Sequence, residues 1–417
     1  MADQETNFDI ATELVHHGER MAPLEGQPTS IPIYAAATYT YDSMDQMDKV
    51  FGGELPGYVY TRHGNPTVTM LEDALRVVEG GATARAYGSG MAALHAALFA
   101  CELSPGSVVL ASQDLYGATT NLLLNIFGVF GIKSVFADFS DLDSVRAQAA
   151  ELKPRVLIAE TISNPLLKVC DIEACAEIAH QAGARLIIDN TFASPYLCQP
   201  LKHGADLVVH SATKFLSGHA DAMGGIAVSA DEFDSTALTG VMKLVGGVLS
   251  PWEAHQILRG ARTLGVRMDR HCENAQALAS QLQDDPRIGR VYFPGLTEQA
   301  ALSIATRMLR AGQFGALVSI ELKENTREAA FGFMDALKLC VRSTSLGDVF
   351  TSALHPATAS HRDLSPARRR ELGITDGLIR ISVGIESAKD IIADIDQALA
   401  AVSVPEAARV LDAAGSR

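Results

Sequence analysis

The chain has 417 residues, of which 47% are hydrophobic, and a formal net charge of −15. A chain of this length and apolar content exceeds what one hydrophobic core can hold, so we expect two or three packed domains. The acidic excess is spread along the sequence and leaves no broad basic surface, which disfavours nucleic acid and anionic membranes as partners.

The amino-terminal segment contains many turn formers and few periodic stretches. Pro23, Gly26, Pro28 and Pro32 fall within it, and such residues interrupt regular structure. We therefore expect an extended arm over residues 1–63. The first residues include neither a basic region nor an apolar run, and no later apolar stretch approaches membrane-spanning length. These features predict a cytoplasmic protein.

Short apolar runs alternate with helical patterns from residue 64 to about residue 261. This alternation is typical of a largely parallel sheet covered by helices. A capping box at 140–143 predicts the start of one helix, and a second helical pattern covers 171–182. The predicted strands lie at 108–111, 155–160, 186–189 and 206–210.

The pattern changes in residues 262–417. A long helical pattern covers 267–283, strand-like runs follow at 317–322 and 379–383, and a final helical pattern begins at Ala388. Strict alternation at 379–383 indicates a half-buried strand. We predict a smaller α+β domain here.

The six cysteines are scattered along the chain, with no Cys-x-x-Cys pair. This distribution favours reduced, buried thiols over disulfides or zinc ligands. Because no group of His, Cys or carboxylate residues has metal-ligand spacing, no metal is expected.

Polar residues follow two of the predicted strands. Asp189 ends one strand, and Ser211, Thr213 and Lys214 follow the next. Ligands collect at the carboxyl ends of strands in an α/β sheet. A desolvated lysine there can attack an aldehyde, the hydroxyls can bind a phosphate, and a carboxylate can pair with a protonated pyridine nitrogen. Taken singly, each residue is more simply interpreted as an exposed loop residue, and the combination favours a cofactor site.

The loop at 88–91 contains two glycines and is followed by an apolar helical run. Backbone N–H groups in this loop could bind a phosphate at the start of the helix. Gly90 lies in this loop, which lacks both the Walker A and the dinucleotide fingerprint, so a nucleotide-dependent oxidoreductase is disfavoured.

Tyr116 follows a predicted strand and could stack on a flat ring or belong to the core. Tyr60 and Arg62 offer a hydroxyl and a bidentate phosphate ligand, or an exposed loop pair.

Together, these motifs resemble those of the Cys/Met-metabolism family of pyridoxal-phosphate enzymes. That family includes methionine γ-lyase, cystathionine γ-lyase, cystathionine γ-synthase and the homoserine-ester sulfhydrylases. The resemblance extends from about residue 8 to residue 402. The matching runs are YTRHGNPT at 60–67, SGM at 89–91, LYG at 115–117, DNT at 189–191, SATKFLSGH at 211–219 and SLG at 345–347.

The resemblance implies a fold and an assembly. The fold is the type I, aspartate-aminotransferase-like fold, with a mostly parallel seven-stranded sheet, helices on both faces and a smaller carboxyl-terminal α+β domain. Residues 64–261 would form the cofactor-binding domain, and residues 1–63 would be an arm that contacts a neighbouring subunit. Family members are commonly homotetramers built as two dimers, with active sites shared between subunits.

The resemblance also implies a role for each matching residue. Lys214 would hold pyridoxal phosphate as a Schiff base, and Asp189 would pair with the pyridine nitrogen. The other implied site residues are Gly90, Met91, Ser211 and Thr213 on the phosphate from the same subunit, Tyr60 and Arg62 on the phosphate from a neighbour, Tyr116 stacked on the ring as acid/base, Asn164 on the ring oxygen, and Arg380 with Ser345 on the substrate carboxylate.

The flanking sequence at 264–271 and 377–386 is most similar to the lyases. The resemblance thus implies α,γ-elimination of methionine, homocysteine or cystathionine to 2-oxobutanoate, ammonia and a thiol. The alternative is γ-replacement by an O-acetyl- or O-succinylhomoserine sulfhydrylase or a cystathionine γ-synthase. Ala118 and Met242 with Lys243 stand where methionine γ-lyases carry a cysteine and Lys-Asp, and Phe350 stands where many cystathionine-cleaving members carry a glutamate. Recognition of the leaving group is therefore where this chain departs from the family pattern.

Overall fold

A computed structural model describes residues 8–16, 28–232 and 234–402. The described residues form two compact units. The first unit contains the described residues up to Gln113 together with Thr119–Thr161 and Cys170–Val266. The second contains Asp114–Ala118, Ile162–Val169 and the described residues from Arg267 onward.

The strands divide between two sheets. Those of the first unit are β1 (Thr83–Tyr87), β2 (Val108–Ser112), β3 (Lys133–Ala137), β4 (Val156–Glu160), β5 (Arg185–Asp189), β6 (Leu207–Ser211) and β7 (Gly225–Ser229). Those of the second are β8 (Ile288–Tyr292), β9 (Leu317–Leu322), β10 (Val341–Arg342), β11 (Ser352–Leu354) and β12 (Leu378–Ser382).

The helices alternate with these strands along the chain. They are α1 (Ile10–His16), α2 (Met44–Phe51), α3 (Pro66–Glu79), α4 (Gly90–Ala100), α5 (Gly117–Asn121), α6 (Leu142–Leu152), α7 (Ile172–Gln181), α8 (Ser194–Leu197), α9 (Asp234–Val245), α10 (Pro251–Ala261), α11 (Leu264–Gln283), α12 (Gln299–Met308), α13 (Arg327–Ala336), α14 (Pro366–Glu371) and α15 (Ala388–Val402).

The sheet of the first unit has seven strands in the order β1-β7-β6-β5-β4-β2-β3. Strands β6, β5, β4, β2 and β3 pair in parallel, and β7 pairs antiparallel with both β1 and β6. The apolar residues of β4 and β5 are fully buried, as expected for a parallel sheet that is covered on both faces. The predicted fold, with its mostly parallel seven-stranded sheet, is confirmed.

The second unit has a five-stranded sheet in the order β10-β11-β12-β9-β8. Ile379 and Ile381 of β12 belong to its hydrophobic core, together with Phe333 of α13 and Ile395 of α15. Side chains alternate along a strand, so Arg380 lies on the opposite face of β12 from these two isoleucines.

The structure differs from the sequence-based expectations in two local details. Helices α1 and α2 lie within the segment predicted to be extended, and Leu14 of α1 is buried. Burial of one apolar face stabilises so short a helix, which propensity alone does not predict. The helix predicted to start at the capping box is confirmed as α6, but its N-cap is Asp141 and not Ser140. The Asp141 carboxylate accepts a hydrogen bond from the Ser144 N–H at 3.1 Å. Pro23 and Gly26 lie outside the described residues.

All six cysteines are free and buried. Within the described residues, none of the helices is both long enough and apolar enough to cross a membrane.

Candidate active site

Asp189 and Ser211 end adjacent strands of the seven-stranded sheet. Asp189 pairs in register with Val209 of β6, so Ser211 lies two residues further along the neighbouring strand. Both strands run in parallel, and their carboxyl ends therefore meet at one edge of the sheet. This edge is where the sequence predicted the cofactor site.

Thr191 connects the two strand ends. Its hydroxyl donates to Asp189 Oδ1 at 2.5 Å, and its backbone N–H donates to the same oxygen at 3.0 Å. The same hydroxyl accepts a hydrogen bond from the Ser211 N–H at 2.8 Å. Burial raises the pKa of Asp189, and the hydrogen bonds from Thr191 and the charge of His210 oppose that rise. Thr191 therefore fixes the carboxylate and favours its ionised form.

The amino terminus of α4 lies against Ser211. Ser89 is the N-cap, and its hydroxyl accepts a hydrogen bond from the Ala92 N–H at 3.1 Å. A Cβ atom at Gly90 would lie 2.8 Å from Ser211 Cβ, so a larger residue would displace one of the two elements. Met91 follows in the first turn. Free N–H groups at a helix start and a hydroxyl beside them form a site suited to a phosphate.

Lys214 lies in the turn that follows β6. The Lys214 N–H donates to the Ser211 carbonyl at 3.2 Å, and the Lys214 carbonyl accepts from the Gly218 N–H at 2.8 Å. The Thr213 hydroxyl accepts from the Gly224 N–H at 3.0 Å, which fixes the turn against the start of β7. Lys214 and Thr213 are partly buried.

A second group of predicted site residues meets in the other unit. Arg380 is buried on β12, where it pairs in register with Ser319. One guanidinium nitrogen of Arg380, Nη1, donates to Asn164 Oδ1 at 2.9 Å, and Nη2 donates to the Ser345 carbonyl at 3.3 Å. The Ser319 hydroxyl donates to the carbonyl of Pro165 at 2.7 Å, which anchors the loop that carries Asn164.

His361 lies beside this cluster. Burial, together with the charge of Arg380, lowers the pKa of His361 to about 4, although a hydrogen bond with the Asn164 backbone opposes the shift. Its Nδ1 lies 2.9 Å from the Ser360 hydroxyl. The imidazole is therefore neutral near neutral pH and adds no second positive charge beside the guanidinium.

Tyr116 lies in a loop of the second unit and is 41% exposed. Two contacts fix this loop. The Gly117 backbone lies so close to the Ser360 carbonyl oxygen that a Cβ atom on Gly117 would be 2.6 Å from it. Asp114 forms an ion pair with Lys168 at 2.9 Å. The exposed ring can therefore meet a ligand while its backbone is fixed.

Tyr60 and Arg62 lie elsewhere in the first unit. The Arg62 guanidinium lies 5.4 Å from the centroid of the Tyr60 ring and donates to the Lys243 carbonyl. Both residues are exposed and line an open groove of about 400 Å³ together with Trp252. Their predicted contact with the phosphate of a neighbouring subunit stays a prediction.

A family model described as Cys/Met metabolism PLP-dependent enzyme matches residues 11–400. The chain belongs to this family. It is 41% identical over 394 residues to L-methionine gamma-lyase of Fusobacterium nucleatum subsp. polymorphum, covering 94% of this chain and 98% of that protein. Identity to L-methionine gamma-lyase of Pseudomonas putida is 40%, with 94% and 97% of the two chains covered.

The fold of this family member agrees with solved structures. The crystal structure of cystathionine gamma synthase from Xanthomonas oryzae pv. oryzae in complex with aminoacrylate and cysteine superimposes with a TM-score of 0.88. It shares 36% sequence identity and covers 95% of this chain and 99% of its own. The protein is therefore a type I pyridoxal-phosphate enzyme.

The residues at the edge of the seven-stranded sheet fit pyridoxal phosphate. The cofactor requires an anion for its ring nitrogen, a phosphate site and a lysine. Asp189 is a carboxylate fixed by two hydrogen bonds on one oxygen. Gly90 lies so close to Ser211 that a side chain at position 90 would collide with it, and the start of α4 therefore lies beside the Ser211 hydroxyl. Lys214 follows in the next turn.

The sequence analysis assigned no role to Thr191 or His361. The run DNT did contain a signal for Thr191, since an Asp side chain commonly accepts a hydrogen bond from the backbone N–H two residues further on, in an Asx turn. His361 had no such signal, because burial, the Arg380 charge and the Asn164 backbone that set its pKa depend on the packing of other elements. Of the residues where the chain departs from the lyases, Met242 is buried on α9, whereas Ala118 and Phe350 are partly exposed.

Proposed function

We propose that the protein is a carbon–sulfur γ-lyase that converts methionine, homocysteine or cystathionine and water to 2-oxobutanoate, ammonia and a thiol. The near full-length similarity to L-methionine gamma-lyases is the observation that carries this proposal. The retention of Lys214, Asp189, Tyr116 and Arg380 in ordered positions supports it further.

In this proposal Lys214 and Asp189 hold the reactive part of the cofactor. Lys214 binds it covalently, and the Asp189 oxygen that does not accept from Thr191 pairs with the ring nitrogen. When bound, pyridoxal phosphate supplies an electron sink that stabilises negative charge at the substrate Cα. The hydrogen bonds to Asp189 support this role because a carboxylate that stays ionised keeps the ring nitrogen protonated.

The phosphate would lie at the start of α4. The N–H groups of Gly90 and Met91 and the hydroxyls of Ser211 and Thr213 would donate to it. Tyr60 and Arg62 would reach it from a neighbouring subunit. Their exposure in one chain supports this part of the proposal, because a phosphate ligand supplied to a partner must lie at the surface.

The substrate carboxylate would pair with Arg380. Arg380 donates hydrogen bonds to Asn164 Oδ1 and to the Ser345 carbonyl, and these two contacts orient the guanidinium plane. Asn164 would also contact the ring oxygen. The neutral His361 beside them supports a single positive charge at this point, which matches one carboxylate.

Proton transfers would fall to two side chains. The Lys214 amine would remove the proton from Cα, pass that proton to the bound cofactor, and then, as a free amine again, remove one from Cβ, and the Tyr116 hydroxyl would protonate the sulfur that leaves Cγ. General acid/base groups must lie within hydrogen-bond reach of the atoms they serve. The partial exposure of Tyr116 and the fixed backbone of its loop support this role.

We also propose a homotetramer of two dimers in the cytoplasm, with residues 1–63 as an arm against a neighbouring subunit, residues 64–261 as the cofactor domain and 262–417 as the carboxyl-terminal domain. Six free, buried thiols favour a reducing compartment.

Gamma-replacement is the second candidate. The structural similarity to a cystathionine gamma synthase favours it. Ala118, where methionine γ-lyases carry a cysteine, and Phe350, where many cystathionine-cleaving members carry a glutamate, favour it too. A phenylalanine cannot pair with the distal ammonium of cystathionine. The two reactions share every proposed cofactor contact and differ only in whether water or a thiol ends the reaction.

A substrate panel distinguishes the two candidates. Purified enzyme is given methionine, homocysteine, cystathionine, cysteine and O-acyl homoserines, each with and without a thiol, and 2-oxobutanoate is measured. A lyase forms oxo acid from sulfur substrates without added thiol. Trace oxo acid without thiol, and thioether products with it, would establish γ-replacement instead. The variant Lys214→Ala is the control, and turnover in that variant would contradict the assignment of the lysine.

A further inference from the structure

A buried polar cluster lies behind the edge of the seven-stranded sheet. Glu79 ends α3 and His210 lies on β6, and both are almost fully buried. Glu79 Oε1 lies 2.5 Å from His210 Nε2. Asn190 Nδ2 donates to the same Glu79 oxygen at 3.2 Å and to the Cys198 carbonyl at 2.9 Å.

The hydrogen bonds fix the polarity of this cluster. The Cys198 carbonyl can only accept, so the amide group of Asn190 presents its NH₂ to that carbonyl and to Glu79 Oε1, while its Oδ1 accepts from the Thr161 hydroxyl at 2.7 Å. Glu79 Oε1 therefore lies within hydrogen-bond reach of two nitrogen atoms, Asn190 Nδ2 and His210 Nε2.

The cluster is attached to both strand ends of the cofactor site. Asn190 directly follows Asp189, and its N–H donates to the Val209 carbonyl at 2.8 Å. His210 directly precedes Ser211 on β6. The Thr161 N–H donates to the Asp189 carbonyl at 3.0 Å. A change in the cluster is therefore transmitted to the backbone of the two residues proposed to hold the ring nitrogen and the phosphate.

The charge of His210 also acts on Asp189 and favours its ionised form. Burial raises the pKa of Asp189, and the charge of His210 is among the causes that lower it. The residues that precede Asp189 on β5, Leu186 to Ile188, and those that precede His210 on β6, Leu207 to Val209, are apolar and buried. A cation in a low-dielectric interior acts strongly over a short distance.

We infer that Glu79 and His210 are positioning residues, an ion pair that fixes the ends of β5 and β6 and keeps Asp189 ionised for the ring nitrogen of the cofactor. This inference rests on the proposed use of Asp189. The pair does not touch substrate or cofactor. It acts through Asp189 and through the backbone beside it.

The test measures the ring nitrogen directly. The enzyme is reconstituted with pyridoxal phosphate labelled with ¹⁵N, and the ring-nitrogen chemical shift is recorded for the wild type, Glu79→Gln, His210→Gln and the double variant. We expect a protonated nitrogen in the wild type and a shift towards the neutral pyridine in all three variants. A pKa change of one unit alters the ratio of protonated to neutral nitrogen about tenfold, and kcat should fall in proportion to the protonated fraction while KM changes little.

The double variant tests the coupling of the two residues. Each single change already removes the ion pair, so the double variant should lose no more activity than either single variant. Losses that simply multiply would contradict the inference.

Cys198→Ala is the matched control. Its thiol is buried, and the charge of Glu79 contributes to the raised pKa of that thiol, so the control perturbs the same part of the core without removing a side chain of the cluster. It should lower the melting temperature and leave the ring-nitrogen shift unchanged. If Glu79→Gln and His210→Gln lower the melting temperature but keep the wild-type shift and kcat, the pair is only structural and the inference is wrong.

A second measurement needs no variant. In wild-type enzyme labelled with ¹⁵N-histidine, we expect His210 to carry protons on both ring nitrogens, and a neutral imidazole would overturn the inference. Failure of the proposed function would look different, because the wild type itself would then bind no pyridoxal phosphate or form no product from the substrate panel.

Discussion

Replacing Thr191 with valine should weaken cofactor binding without changing the shape of the side chain. The variant loses the hydroxyl that donates to Asp189 Oδ1 and accepts from the Ser211 N–H. A hydrogen bond to a charged group contributes about 1.5–3 kcal/mol. Because Thr191 is only partly buried, we take the lower end, about 1.5 kcal/mol, which corresponds to roughly a tenfold change in an equilibrium constant.

The assay is a titration of apoenzyme with pyridoxal phosphate, followed by visible absorbance. Thr191→Val should bind the cofactor about tenfold more weakly, in line with the estimate above. Thr191→Ser keeps the hydroxyl and serves as the control, so its affinity should stay close to that of the wild type. If the valine and serine variants bind equally well, the hydroxyl does not fix the carboxylate and the reasoning fails.

Three further changes test the geometry of the site. Gly90→Ala should abolish most cofactor binding, because its Cβ would lie 2.8 Å from Ser211 Cβ, whereas Gly240→Ala on α9, with open space around it, should bind normally in the same titration. Gly117→Ala would place a Cβ 2.6 Å from a backbone carbonyl oxygen and should lower kcat while cofactor absorbance persists; unchanged kcat would contradict the fixed loop. Folding lowers the pKa of His361 from 6.5 to about 4. As pH falls from 6.5 to 4, the unfolded chain therefore binds a proton before the folded protein does. Up to about 3 kcal/mol of folding stability is lost in that window. In urea unfolding at several pH values, His361→Asn should lose less stability there than the wild type, and equal losses would contradict this sign.

The positions of the strands could be predicted because apolar runs bounded by turn residues are local signals. The strand predicted at 317–322 agrees with β9 (Leu317–Leu322), and that at 186–189 falls within β5 (Arg185–Asp189). The helices of the arm could not be predicted in this way. They depend on burial of single side chains such as Leu14 against the rest of the first unit, and that burial is a tertiary effect.

The candidate site was predictable to the extent that its residues follow strands. Lys214 and Asp189 could be placed at one edge because parallel strands share their direction. The contact between Arg380 and Asn164 joins residues 216 positions apart, and that between Glu79 and His210 joins residues 131 positions apart. Nothing in the local sequence specifies such pairings, since they depend on the relative register of whole elements.

Strand β7, which pairs antiparallel with both of its neighbours in the seven-stranded sheet, has a consequence for the order of folding. Strand β1 lies at the edge of the sheet and pairs with β7, which joins Thr83 to Ser229. Contacts of such long sequence separation form slowly, because a long loop must close before they can form. Helix α4, whose first turn is the proposed phosphate site, directly follows β1. During synthesis this part of the site therefore remains incomplete until most of the first unit has been translated, and cofactor capture would be a late step that locks the assembled sheet.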